Sequence, residues 1–233
     1  MMPPRRTYIA RYLGMVPYES ALRCQRALMR LRAEGTIPDV VLLLQPPHVY
    51  TVGRFKGAED IIVPPEEIPV FHTERGGGIT YHGPGQLVGY PILDLREKGL
   101  GVREYIWRLE EVIINLLRAF GLQGHRNGNY PGGVWVDSKK VCSIGIHVSH
   151  RITTHGFALN ISNDLRFFEY IRPCGLRGQV MTSLSELLGH AVEIETVVEN
   201  LLYSFSQVFM VRVRRQNCKQ FGSIARLLSS PRI

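Results

Sequence analysis

Two hydrophobic rhythms alternate along this chain: a period of two, which marks strands, and a period of about 3.6, which marks helices. Residues 7–13 (Thr-Tyr-Ile-Ala-Arg-Tyr-Leu) read as a first strand. Residues 18–33 set Leu22, Leu28, Met29 and Leu31 on the apolar side of a helix that also holds Cys24. Residues 40–44, Val-Val-Leu-Leu-Leu, have no polar position at all, which predicts a buried strand ended by Pro46-Pro47. Further strands are predicted over 70–74, 78–82 and 86–94, separated by glycine turns. The longest helical pattern covers 102–120, with Tyr105, Ile106, Leu109, Val112, Ile113, Leu116, Leu117 and Phe120 in step and Gly121 as the stop. Val134–Val136, the turn Asp137-Ser138 and Lys139–Val141 predict a hairpin whose second strand runs to about Val148. His155–Ile161 reads as another strand. Ser183 and Glu186 have capping-box spacing ahead of a short helix, and Glu195–Phe209 forms the last long one.

Strands and helices mix without strict alternation, and several strands are close enough for hairpins. That pattern predicts an α/β protein in which helices pack on a mixed sheet. We expect one domain over residues 1–215, followed by a polar, basic, mobile tail over 216–233.

The bulk numbers narrow the class. Of 233 residues, 45% are hydrophobic and 21% charged, as in a globular domain. No apolar run reaches the roughly 18 residues of a membrane span. Two arginines near Met1 are followed by no apolar core of a signal peptide, so the chain is expected to be cytoplasmic. A net charge of +8 suits either nucleic acid or an acidic protein partner. The basic residues are scattered except for Arg212, Arg214, Arg215 and Lys219, and no nucleic-acid motif is recognisable. The four cysteines, Cys24, Cys142, Cys174 and Cys218, form no C-x-x-C pair, which predicts neither a metal site nor a disulfide.

Chemistry concentrates in three places. The segment Arg75-Gly-Gly-Gly-Ile-Thr-Tyr-His82-Gly-Pro-Gly-Gln-Leu-Val-Gly-Tyr90 sets a guanidinium and an imidazole beside backbone that can approach a ligand closely. On its glycines alone it would be an ordinary hairpin. Cys174 stands in Arg172-Pro-Cys-Gly175, a loop context that suits a nucleophile, although lone cysteines are more often structural. Cys142, its competitor, is expected in the core. Lys140 opens the strand Lys140-Val-Cys-Ser-Ile-Gly-Ile146, and its ammonium could hold a nearby thiol as thiolate. Without further context it reads as an ordinary solvated hairpin lysine, a reading that suits Lys139 on the opposite face.

Taken together, these motifs resemble the lipoyl(octanoyl) transferases. The resemblance covers about residues 39–190. It rests on Arg75, Gly76, Gly77, Thr80, His82, Gly85, Gln86 and Tyr90, on Lys140–Gly145, on Thr153-Thr-His-Gly-Phe-Ala-Leu-Asn160, and on Pro173-Cys-Gly175 with Thr182-Ser-Leu184. It implies the catalytic fold of biotin and lipoate protein ligases, with a larger mixed sheet, a smaller sheet and flanking helices. It also implies a catalytic pair, Cys174 and Lys140. The acyl pocket it implies is lined by Arg75, Gly76, Gly77, Gly78, Ile79, Thr80, Tyr81, His82, Ser143, Ile144, Gly145, Gly156, Phe157 and Ala158, with His155 and Tyr90 in support. The implied donor is octanoyl-acyl carrier protein. The implied acceptors are the lipoyl domains of 2-oxoacid dehydrogenase E2 subunits and the glycine cleavage H protein. No metal, cofactor, nucleic acid or membrane is expected, and the protein is expected to be a monomer.

Conversion of a thioester to an amide is downhill, so this chemistry needs no nucleotide. The rival within the fold is an ATP-dependent lipoate or biotin ligase, which needs no cysteine in that loop. The same motifs must also be weighed against an amidotransferase acting between lipoyl domains, and against a non-catalytic acyl- or nucleic-acid-binding module. A cysteine–histidine protease is a formal possibility.

Overall fold

A computed structural model describes residues 6–55, 67–172 and 180–216. Cys174 and its Pro173–Gly175 loop, Cys218, Lys219 and residues 217–233 of the expected tail lie outside the described residues. The chain order is β1 (Thr7–Met15), α1 (Tyr18–Ala33), β2 (Val40–Gln45), β3 (Val49–Val52), β4 (Val70–His72), β5 (Ile79–His82) and β6 (Gln86–Ile92). There follow α2 (Val102–Ala119), β7 (Gly124–Arg126), β8 (Gly133–Val136), β9 (Lys139–Ser149), β10 (Ile152–Asn160), a 3-10 helix (Leu165–Tyr170), α3 (Leu184–Leu188), α4 (Ile194–Phe209) and β11 (Arg212–Arg215).

Eight strands form one mixed sheet in the order β11-β1-β2-β6-β10-β9-β8-β7. β1 runs parallel to β2 and β11, while the pairings from β2 out to β7 are antiparallel. A smaller sheet has the order β4-β3-β5. This is the expected architecture of a large mixed sheet, a small sheet and flanking helices.

The unbroken apolar run of β2 has a clear cause. Leu42 and Leu44 pack with Ala21, Cys24 and Leu28 of α1 on one face of the large sheet. Val41 and Leu43 join the core that α2 and α4 build on the other face. A strand covered on both faces has no solvent side to carry polar residues. In α2 the predicted stripe is buried at Tyr105, Leu109, Val112, Ile113, Leu116 and Leu117, while Ile106 is partly exposed and lines the cavity described below. The helix ends on Gly121 at φ 75°, where the Leu122 and Gly121 amides donate to the Leu117 and Arg118 carbonyls. That is a left-handed glycine cap.

Two local expectations change. Ser183 accepts from the Glu186 amide at 3.2 Å, but the Glu186 carboxylate accepts from Thr182 Oγ1 and Lys139 instead of returning to the cap, so half of the capping box forms. The basic cluster Arg212–Arg215 is an edge strand paired with β1.

Candidate active site

A cavity of about 1030 Å³ lies along β9 and β10. Its wall takes residues from three of the four motifs: Arg75 to Thr80 with His82, then Lys140 and Ser143 to Gly145, then His155 to Ala158. Strand register brings the last two together. Ser143 faces Ala158, Ile144 faces Phe157 and Gly145 faces Gly156 across the antiparallel ladder. Tyr90, from the neighbouring β6, also lines the cavity.

The glycine loop between β4 and β5 is held from two sides. The Gly76 amide donates to the Ile146 carbonyl at 2.9 Å, which seats the loop on β9. From the other side, the amides of Gly53, Arg54 and Phe55 donate to the carbonyls of Gly78, Arg75 and Gly77. Gly145 permits this approach, because a Cβ there would sit 2.9 Å from the Gly76 carbonyl oxygen. The loop is thus a clamp between the small sheet and β9.

Lys140 is buried in the wall. A Cβ at Gly133 would lie 2.2 Å from Lys140 Cε, so the missing side chain on β8 makes the slot that the lysine occupies. Its ammonium stands 5.9 Å from the centre of the Trp135 ring. The Lys140 carbonyl accepts from the Thr182 amide at 3.0 Å, and Lys140 forms a parallel bridge with Met181. Lys139, one residue away, is exposed and pairs with Glu186 at 3.0 Å.

A second line of contacts runs from the small sheet to the same place. The Arg75 guanidinium donates to the Thr51 hydroxyl and carbonyl at 2.8 and 2.6 Å. Thr51 Oγ1 meets His82 Nε2 at 3.4 Å, and His82 Nδ1 meets Gln86 Oε1 at 2.8 Å. Gln86 Nε2 donates to Asn160 Oδ1 at 2.9 Å, and Asn160 Nδ2 donates to the Thr182 carbonyl at 3.0 Å. The two ends decide the proton positions. An arginine can only donate and a carbonyl can only accept, so His82 carries its proton on Nδ1 and accepts the Thr51 hydroxyl proton on Nε2. Burial, the largest influence, lowers the His82 pKa to about 4, and the nearby Arg75 acts in the same direction. The ring is neutral at neutral pH. It organises the wall and is a poor proton donor.

Tyr81 is the expected lining residue that the cavity does not include. Its hydroxyl contacts His48 Nδ1 at 2.8 Å and its ring stacks on Phe167. Together with Tyr50 and Phe168 it forms the core of the small sheet. His155 has φ 55°, a left-handed conformation rare for a side-chain-bearing residue. Its backbone amide donates to Gln25 Oε1 of α1 at 2.7 Å, and its ring meets Tyr90 edge-on. Burial holds the His155 pKa down at about 3. Burial pushes the Cys142 thiol up to about 12 and the Cys24 thiol up to about 11. Both are buried, and burial disfavours the thiolate form that a nucleophile needs.

The expected site omitted Thr51, Gln86 and Asn160, which organise it, and Tyr18, which stacks on His82. Gln86 and Asn160 stand inside two of the motifs, so a role could have been sought for them. Trp107 also lines the cavity. Its signal was an aromatic residue off the apolar stripe of α2.

A solved lipoate-protein ligase A bound with ATP superimposes on this chain with a TM-score of 0.75, over 97% of this chain and 93% of its own, at 16% identity. That likeness defines the class as the lipoate-protein-ligase fold. The family described as lipoyl protein ligase A/B catalytic domain matches residues 17–206. An octanoyltransferase of Caldicellulosiruptor saccharolyticus is 45% identical, covering 87% of this chain and 89% of that one. One of Solibacter usitatus is 44% identical, covering 85% of this chain and 91% of that one. The chain belongs to the octanoyltransferases of the lipoyl protein ligase A/B catalytic-domain family.

Proposed function

We propose that this enzyme transfers an octanoyl group from octanoyl-acyl carrier protein to the ε-amine of a lipoyl-domain lysine, through a thioester on Cys174. The observation that carries the reading is Lys140. It is a buried lysine in the cavity wall, and its backbone is bonded to Thr182, a few residues after the Pro173-Cys-Gly175 loop. An acyl chain of eight carbons suits a cavity walled by Ile79, Val88, Ile144, Phe157 and Ala158. Each methylene removed from water contributes about 0.8 kcal/mol.

The Cys174 thiolate attacks the carbonyl carbon of the donor thioester. The tetrahedral intermediate collapses with loss of the carrier thiolate, which takes a proton from the Lys140 ammonium. The acyl-cysteine and a neutral Lys140 remain. The acceptor amine then attacks the same carbonyl carbon, Lys140 takes the proton the amine loses, and the Cys174 thiolate departs. One turnover restores the starting protonation of both groups, so no cofactor is consumed.

Intact-protein mass spectrometry after mixing with octanoyl-acyl carrier protein tests this. The expected result is an octanoyl adduct on the wild type, none on Cys174→Ser, and discharge of the adduct by a lipoyl domain. Octanoylation of the domain that requires free octanoate and ATP, with no adduct, would assign the chain to ligase chemistry instead.

A further inference from the structure

We propose that the outer lip of the cavity docks the acyl donor, recognised as an acidic carrier domain whose acyl group hangs on a phosphate-bearing arm. The inference rests on the transferase reading above and adds the surface and the charge logic by which the donor is chosen.

Nine large hydrophobic side chains are exposed among the described residues, and four of them line this one cavity. Phe55 is 75% exposed, Trp107 50%, and Val102 and Tyr130 41% each. An acyl chain inside the pocket would leave these outward faces wet, whereas a second protein would cover them. Trp107 is also held in place. The Arg126 guanidinium lies 4.5 Å from its ring centre and donates to its carbonyl at 2.9 Å. An exposed tryptophan stacked with an arginine, with Tyr130 on the same cavity, is the composition of an interface hot spot. Tyr130 packs 5.8 Å from Trp135, the ring beside the Lys140 ammonium, so the lip leads inward to the lysine.

Charge selects the occupant. The cavity lining includes two carboxylates, Glu74 and Glu110, and both are already paired, with Arg26 and Arg126. It also includes the guanidiniums of Arg54 and Arg103, exposed at the lip, and no carboxylate of the described residues forms a salt bridge with either. Among the described residues, the lip therefore carries two guanidiniums with no carboxylate paired to them. An anionic arm is drawn past two guanidiniums, which hydrogen-bond phosphate well. An acceptor's lysine side chain brings a cation to the same opening and gains nothing there.

The test compares octanoyl-acyl carrier protein with octanoyl-N-acetylcysteamine, a thioester that has neither protein nor phosphate. The variants are Arg54→Glu with Arg103→Glu, and separately Trp107→Ala. Acyl-enzyme formation should lose at least about tenfold more kcat/KM with the carrier-linked substrate than with the small thioester, mainly through KM. For the arginine pair the gap should narrow at high salt. The milder pair Arg54→Gln with Arg103→Gln serves if the reversal does not fold. Equal losses on both substrates would overturn the proposal. So would a loss confined to discharge by the lipoyl domain, which would make the lip the acceptor's surface. A wild type acylated by neither thioester would instead overturn the transferase reading.

Discussion

The inner wall and the outer lip of one cavity are built on opposite terms. Behind the wall, Arg75, Thr51, His82, Gln86 and Asn160 are buried and each is bonded to the next. At the lip, large apolar side chains and guanidiniums with no salt-bridge partner among the described residues face water. The wall gains its order from contacts within the chain. The lip leaves these groups facing outward. A side chain's surroundings, more than its type, thus separate a residue that shapes the chemistry from one that meets a partner.

The sharpest test of that division is Lys140→Ala. Acyl-enzyme formation near neutral pH should fall by about 10²–10⁴-fold, the range for loss of a positioned proton donor. The exposed Lys139→Ala is the control, and a wild-type rate in Lys140→Ala would remove the lysine from the mechanism.

Acid should attack the wall next. The folded-state pKa values of His82 and His155 are lowered to about 4 and about 3. Above the unfolded value of about 6.5 both states are neutral and stability does not vary with these groups. As pH falls below it, the unfolded chain takes up protons that the folded chain refuses, so stability drops until the folded pKa is passed. At about pH 4.5 each histidine should have removed roughly 2–3 kcal/mol. Urea midpoints across pH 7 to 4.5 read this out, and His82→Gln should flatten the slope.

Asn160→Ala strips partners from Gln86 and from the Thr182 carbonyl and should cost about 1–3 kcal/mol in chemical denaturation. An unchanged midpoint would mean that water replaces the amide without penalty. The smallest effect belongs to the lip. Trp107→Ala should change stability by no more than about 0.5 kcal/mol, because little of that face packs against the fold. A larger loss would mean that the ring serves the domain itself.

Much of the fold was legible because its elements carry strong periods. α1, α2 and α4 were placed within a residue or two, and β1, β2 and β6 nearly as well. β3, β7 and β11 were not. Val49–Val52 is short and lies close behind Pro46-Pro47, and Gly124–Arg126 has no apolar alternation. Arg212–Arg215 reads as charge, since its place in the sheet comes from backbone pairing with β1. The lining residues were readable because they cluster in motifs. Tyr81 was not separable inside one, since the motif names a run of residues while the pleat of β5 divides them. Thr51 and Arg54 lie outside every motif, and only the folded chain brings them to Arg75 and to the cavity.

The bonds from Arg75 to Thr182 all donate in the same sense, and both ends are fixed by groups that cannot exchange roles. Neither amide can flip alone, and the imidazole cannot change tautomer, without setting two donors or two acceptors face to face. The proton arrangement of this wall therefore has a single low-energy configuration. Its dipoles have no second orientation to relax into, so they would add little reorganisation energy to the proposed transfer.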